Sequence, residues 1–132
     1  PETMQDNPQY AEVVNEVGQF LKLRYSACLQ RNIDAQRLLI DPGFGFGKTL
    51  QHNLQLLGHI EALRIQDCSI LVGISRKSML GQITGRGVDD RLAASVAAAV
   101  LAVQNGANLI RAHDVKETVD GINVWLALEG VG

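Results

Sequence analysis

The chain has 132 residues, 46% of them hydrophobic and 20% charged, with a formal net charge of −2. This is one ordinary domain's length with enough apolar content for a packed core, which excludes a disordered chain and gives no support for a nucleic-acid surface. No apolar run approaches the ~20 residues of a membrane span, and no signal peptide opens the chain.

Residues 1–9 are polar and start at Pro1 without a methionine, so they read as a loop and the chain as the back part of something longer. Tyr10, Val13, Val14, Val17, Leu21 and Leu29 recur near a helical period, predicting a helix over 10–31 that starts close to Pro8. Residues 37–40 then read as a strand, whose apolar run Leu38, Leu39 and Ile40 ends in Asp41 and Pro42, as a buried strand would. Gly43, Gly45 and Gly47 follow at alternate positions and let the backbone turn sharply and approach a ligand. Phe44 and Phe46 are expected on this loop rather than in a core. Gly47-Lys48-Thr49 mimics the end of a nucleotide P-loop, but Pro42 stands where that motif needs its first glycine.

Leu50, Leu54, Leu57, Ile60 and Leu63 predict a second helix over 49–64, with His52 and His59 as surface or packing residues. Residues 70–74 are nearly all apolar, as expected of a strand covered on both faces. Ser75-Arg76-Lys77-Ser78 follows, then a possible short helix over 79–83 and a flexible loop over 84–87. Asp89 is the expected cap of an alanine-rich helix that ends near Gln104 or Asn105, with Gly106 as its stop. Residues 108–111 form the third strand. Asp114 and Glu117 have capping-box spacing before a last helix over 115–128, with Val119, Ile122 and Leu126 inward. Cys28 and Cys68 lack metal-ligand spacing and read as buried, reduced thiols of a cytoplasm-like compartment.

Strands alternating with helices define an α/β fold with parallel strands. Each strand ends in polar residues: Asp41, then Ser75 to Ser78, then Arg111 and His113. Parallel α/β folds bind ligands at that end. Arg76, Lys77 and Arg111, with His113, suit an anionic oxygen cluster, because arginine binds one bidentately. Lys48 and Arg86 are read as ordinary surface cations.

The runs Asp41-Pro42-Gly43-Phe44-Gly45-Phe46-Gly47-Lys48, Gly73-Ile74-Ser75-Arg76-Lys77-Ser78 and Ile110-Arg111-Ala112-His113-Asp114-Val115 closely resemble the dihydropteroate synthase family in content, order and spacing. The resemblance extends over nearly all of the chain. It implies that residues 1–132 are a single segment, the C-terminal half of a pterin-binding (β/α)8 TIM barrel with about strands six to eight and helices five to eight. A whole barrel takes about 250 residues, so this stretch alone is expected to be inactive.

The activity implied is a folate-pathway transferase, a sulfonamide target. It condenses 7,8-dihydropterin-6-ylmethyl pyrophosphate with p-aminobenzoate to give dihydropteroate and pyrophosphate. By motif, Asp41, Gly45, Lys77 and Arg111 would bind the pterin, with Asp41 accepting from its ring donors. Phe46, Lys77 and Ser78 would bind p-aminobenzoate. Arg111 and His113 would hold the pyrophosphate, and Lys77, Arg111 and His113 would be the catalytic group. The resemblance also implies Mg²⁺ with no ligand in this stretch, a homodimer through the later helices, and a cytoplasmic location. Three rival readings remain: a pterin-binding methyltransferase barrel, an aldolase-like barrel with Lys77 as Schiff-base former, and a non-catalytic dimerisation fragment.

Overall fold

β2 (Ser69–Val72) takes the middle of a three-stranded sheet, between β1 (Leu39–Ile40) and β3 (Leu109–Ile110), in a computed structural model that describes residues 12–131. Both pairings are parallel, with Leu39 opposite Ser69 and Val72 opposite Ile110. Around the sheet run α1 (Val13–Gln30), α2 (Leu50–Gly58), α3 (Ser78–Thr84), α4 (Leu92–Gln104) and α5 (Val115–Gly130). The order is the alternation expected from sequence, with α3 as the extra short helix. The expected start of the first helix near Pro8, and the inward Tyr10, lie outside the described residues.

The core forms on one face of the sheet. Ile40, Ile70, Val72 and Ile74 pack with Val13 and Val17 of α1, with Leu56 of α2 and with Ala98 and Ala102 of α4. β2 is not covered equally on both faces as its apolar run suggested, because Ser69 and Leu71 are only half-buried. Phe44 also departs from expectation. Its ring is fully buried in the core, so it anchors the glycine loop instead of standing on it.

Several ends differ from the expected ones for local reasons. Residues 35–37 form a 3₁₀ turn in place of the strand's start, because the Asp34 side chain accepts from Gln36 N at 2.9 Å. Thr49 caps α2 rather than joining it: its hydroxyl accepts from His52 N, and His52 Nδ1 accepts from Thr49 N, both at 3.1 Å. The long second helix breaks after Gly58 into a 3₁₀ turn at Ile60–Leu63, where His59 Nδ1 lies 2.8 Å from Gln55 O. Asp89 lies in a 3₁₀ turn at Val88–Asp90 and does not cap α4, whose flanking residue is Arg91. Gly106 does follow the end of that helix, with φ +117°.

At the sheet's N-terminal end, Arg64 donates to Cys68 O and Asn108 Oδ1, each at 3.0 Å, and to Gly106 O. One guanidinium therefore ties the turns that enter β2 and β3. Cys68 is buried, with its thiol pKa pushed up by burial, whereas Cys28 is only half-buried.

α5 does not bury the stripe expected of it. Val119 and Leu126 are exposed, Ile122 is half-buried, and Thr118 is the buried contact. The helix comes close to α4 at Gly121, where an added Cβ would lie 2.7 Å from Val96 Cγ1 and 3.2 Å from Val100 Cγ2. Alanine there should gain about 1 kcal/mol in helix propensity. The β-branched valines cannot easily move aside, and overpacking costs about 1–3 kcal/mol. We expect Gly121→Ala to be net destabilising by about 1 kcal/mol, read as a lower urea midpoint of the parent protein.

Candidate active site

The loop after β1 is shaped by what its carbonyls must face. Gly43, Gly45 and Gly47 all take positive φ (75°, 88° and 64°), the left-handed region that glycine enters without strain. This turns the carbonyl oxygens of Gly43 and Phe46 inward, where Lys48 Nζ donates to them at 2.8 and 2.9 Å. Lys48 is thus a buried cation and not the surface residue expected. Its pKa is lowered by burial first and by the Lys77 ammonium second, and is partly restored by Asp41. Buried Asn53, on the first turns of α2, accepts from Gly45 N at 2.9 Å. Asp41 is exposed at the strand end and accepts from Gly43 N at 2.9 Å through Oδ1.

Lys77 reaches the same loop from β2's exit. Its ammonium donates to Phe44 O and sits 4.9 Å from the centroid of the exposed Phe46 ring, within cation–π range. Gly45 is the close-approach point, where a Cβ would stand 3.4 Å from Lys77 Cδ. Burial lowers the Lys77 pKa, Asp41 opposes that shift, and Arg111 adds to it. Asp41 and Arg111 are thus both close enough to act on the Lys77 ammonium, and all three stand at strand exits on one lip of the sheet. Arg111 leaves β3 beside Gly73, whose added Cβ would lie 3.6 Å from Arg111 Cβ. Ser78 is exposed at the first position of α3, directly after Lys77.

The exits of β2 and β3 are laced together. The His113 backbone N–H donates to Ser75 Oγ at 3.1 Å, and His113 Nδ1 lies 2.8 Å from the same oxygen. Arg76 forms an ion pair with Asp114 at 3.1 Å. Arg76 therefore does not add to the anion site as expected, and Asp114 is engaged with it rather than closing a capping box on α5. Arg76 has φ +60°, which is unfavourable for a side-chain-bearing residue. It is held there because Ser95 Oγ accepts from its N at 3.0 Å and Arg91 donates to its O at 2.8 Å.

Sequence reasoning put Ser75 on this rim without its bond to His113, and missed Lys48, Asn53, Ser95 and Asp114 as supports of the framework. Asn53 and Ser95 did leave a signal, since each is a polar residue at a position that the helical period turns inward. Arg86 pairs with Asp90 on the exposed surface, as expected, and His59 is exposed where α2 ends. A cleft of about 420 Å³ beside the site is lined by Val17, Phe20, Leu21, Asp41, Pro42 and Phe46. Nothing in the helical period of residues 10–31 marked α1 as a wall of that cleft.

A parallel sheet with an acid, a lysine, an arginine and a histidine on its C-terminal lip defines an α/β ligand-binding half-barrel. Residues 1–113 match the family described as pterin binding enzyme, and the chain belongs to that family. It is 47% identical over 132 residues to the dihydropteroate synthase of Neisseria meningitidis serogroup B, covering 97% of this chain and 46% of that one. Xanthomonas albilineans dihydropteroate synthase has been solved with 7,8-dihydropteroate; that structure matches 95% of this chain and 48% of its own, at 49% identity and TM-score 0.92. The same enzyme with 4-aminobenzoic acid matches at TM-score 0.92 and 48% identity over 96% of this chain and 48% of its own. The Yersinia pestis enzyme in a sulfonamide drug complex matches at TM-score 0.93 and 42% identity, over 97% of this chain and 46% of that one. The fold is thus the C-terminal part of that TIM barrel, and the chain spans about half the length of the relatives it matches.

Removing the buried ammonium leaves two inward carbonyls without their donor. We expect Lys48→Met in the parent protein to speed hydrogen exchange of the Gly45 and Phe46 amides by roughly tenfold or more, with the amides of β2 unchanged.

Proposed function

We propose that the parent protein is a dihydropteroate synthase and that residues 1–132 are the single C-terminal segment of its barrel. The observation that carries this reading is the meeting of Asp41, Lys77 and Arg111 on one lip, with Phe46 facing the Lys77 ammonium. The 7,8-dihydropteroate and 4-aminobenzoic acid held by the Xanthomonas relative support the substrate assignment.

Each role follows from chemistry. Asp41 is an acceptor-only carboxylate that suits the amino and ring N–H donors of a pterin edge. Gly45 leaves room for the Lys77 stem, and Lys77 donates to the ring's acceptor atoms. Phe46 walls the p-aminobenzoate pocket beside that stem, and Ser78 donates to its carboxylate. Arg111 lies over the pterin and, with His113, holds the diphosphate. The bond between the pterin methylene carbon and the diphosphate oxygen breaks, and the electron pair leaves with pyrophosphate. The p-aminobenzoate nitrogen then forms the new C–N bond and loses a proton. Charge grows on the departing oxygens, so the Arg111 guanidinium and a His113 N–H lower the barrier most where they grip the leaving group.

Magnesium is an oxygen-seeking ion that diphosphate itself can ligate. Among the described residues no three histidine, cysteine or acidic side chains converge to hold a metal, so no step is assigned to it here. No described helix is long and apolar enough to cross a membrane. Two free thiols support a reducing, cytoplasmic setting.

The methyltransferase alternative keeps the strand-end acid but has no use for the Ser75–Ser78 loop, so binding of p-aminobenzoate in the presence of pyrophosphate separates the two. In the full-length protein, Lys77→Ala and Arg111→Ala should each lower kcat by about 10²–10³-fold, the usual effect of losing one preorganised group. Near-normal turnover in both would defeat the assignment. Purified residues 1–132 should show no turnover.

A homodimer through the later helices completes the reading. It is supported by exposed Leu101 on α4 and exposed Val124, Leu126 and Leu128 on α5. Ala98, also on α4, is buried and faces the core instead. Leu101→Glu with Val124→Glu in the full-length protein should shift the mass measured by light scattering from dimer towards monomer.

A further inference from the structure

Strand pairing between β2 and β3 runs at a fixed offset, Leu71 with Leu109 and Val72 with Ile110. Beyond the ladder's end the same offset of 38 recurs in side-chain bonds, Ser75 with His113 and Arg76 with Asp114. The first of these rungs carries chemical information. The backbone N–H of His113 can only donate, so it occupies one lone pair of the Ser75 hydroxyl. That hydroxyl has a single proton, and His113 Nδ1 lies 2.8 Å away to accept it. The opposite assignment would fill both lone pairs of the oxygen with donors and leave the hydroxyl proton without an acceptor among the described residues, whereas this one uses the proton as well.

We propose that Ser75 is a positioning residue that locks His113 in its Nε2–H tautomer, so that the neutral ring offers a donor at the site. This deepens the diphosphate reading of His113 and rests on it. His113 is exposed, and Nε2 makes no hydrogen bond among the described residues. A ring N–H facing a diphosphate oxygen forms a charge-assisted bond, whereas the other tautomer would aim a lone pair at an anion. The arrangement lets His113 grip the leaving group without first taking up a proton. The two contacts from one oxygen, to ring and backbone, also set where the ring points.

The test uses the full-length protein labelled with ¹⁵N in histidine, at about pH 8, above the ordinary imidazole range. The His113 signals are assigned by their loss in His113→Ala. The expected result is an unprotonated Nδ1 and a protonated Nε2. Ser75→Ala should move both shifts towards the average of two exchanging tautomers and weaken binding of inorganic pyrophosphate by about tenfold, as for one charge-assisted bond. Ser75→Thr, which keeps the hydroxyl, should restore both readouts. An Nδ1–H ring or an imidazolium in the unsubstituted protein overturns the proposal, as does Ser75→Ala with unchanged nitrogen shifts. If Ser75→Ala does not fold, the shifts of the unsubstituted protein still decide. Undiminished pyrophosphate binding by His113→Ala would instead overturn the diphosphate role, and the nitrogen shifts would still judge the tautomer.

Discussion

Two ammonium groups wrapped in the carbonyl oxygens of one short loop are the constraint on which the rest depends. Lys48 takes the oxygens of Gly43 and Phe46, and Lys77 takes that of Phe44. A buried cation without such partners would cost several kcal/mol. The loop therefore cannot relax without stranding charge, and the positive-φ glycines make the inward turn possible. Phe44 fixes the loop to the core from below. Asp41 is left at the start of the turn, close enough to both lysines to oppose the lowering of their pKa values. An acid and a neighbouring cation are thus positioned by one set of bonds.

The second constraint acts between strands. The ladder of β2 and β3 is only a few residues long, yet its register persists through Ser75–His113 and Arg76–Asp114. These rungs use side chains where a ladder would use backbone, which frees the chain to turn away while its neighbours stay aligned. Arg76 sits in the left-handed region at a cost of order 1–3 kcal/mol, offset by bonds with three residues, Ser95, Arg91 and Asp114. The strain has a structural consequence: it redirects the chain so that Lys77, the next residue, points back to the glycine loop while Arg76 points across to Asp114.

The rim was legible in the sequence because strand ends are marked by Pro42, glycines and abrupt changes of polarity. Asp41, Lys77, Arg111 and His113 could be placed on one rim for that reason. The supports were not legible. Lys48 has a surface residue's composition, and only the inward turn of the carbonyls shows that it is buried. Asp114 with Glu117 satisfied a local capping pattern, but a partner 38 residues away outcompeted it. Phe44 and Phe46 look equivalent in a Gly-Phe-Gly-Phe-Gly run, yet the loop's path sends one ring to the core and the other to the surface. The inward face of α5 was misjudged because period alone does not reveal that Gly121 is the point of closest approach.

The sheet's open edges show what this half of a barrel leaves uncovered. β1 and β3 are each paired on one side only within this sheet, and Leu39 and Leu109 remain 47% and 45% exposed. Phe20 and Leu23 on α1 are also exposed, at 62% and 71%. Open parallel edges flanked by apolar side chains are surfaces that further strands and helices cover in a closed barrel. The site's own bonds are nearly all internal to three neighbouring strand exits, so its local geometry can form from this half. What closure adds is the opposite wall. A cation-lined lip raises the effective strength of its charges only when water is excluded from the other side. The polar lip is therefore built within these residues, whereas a dry environment around it needs the remainder of the cylinder.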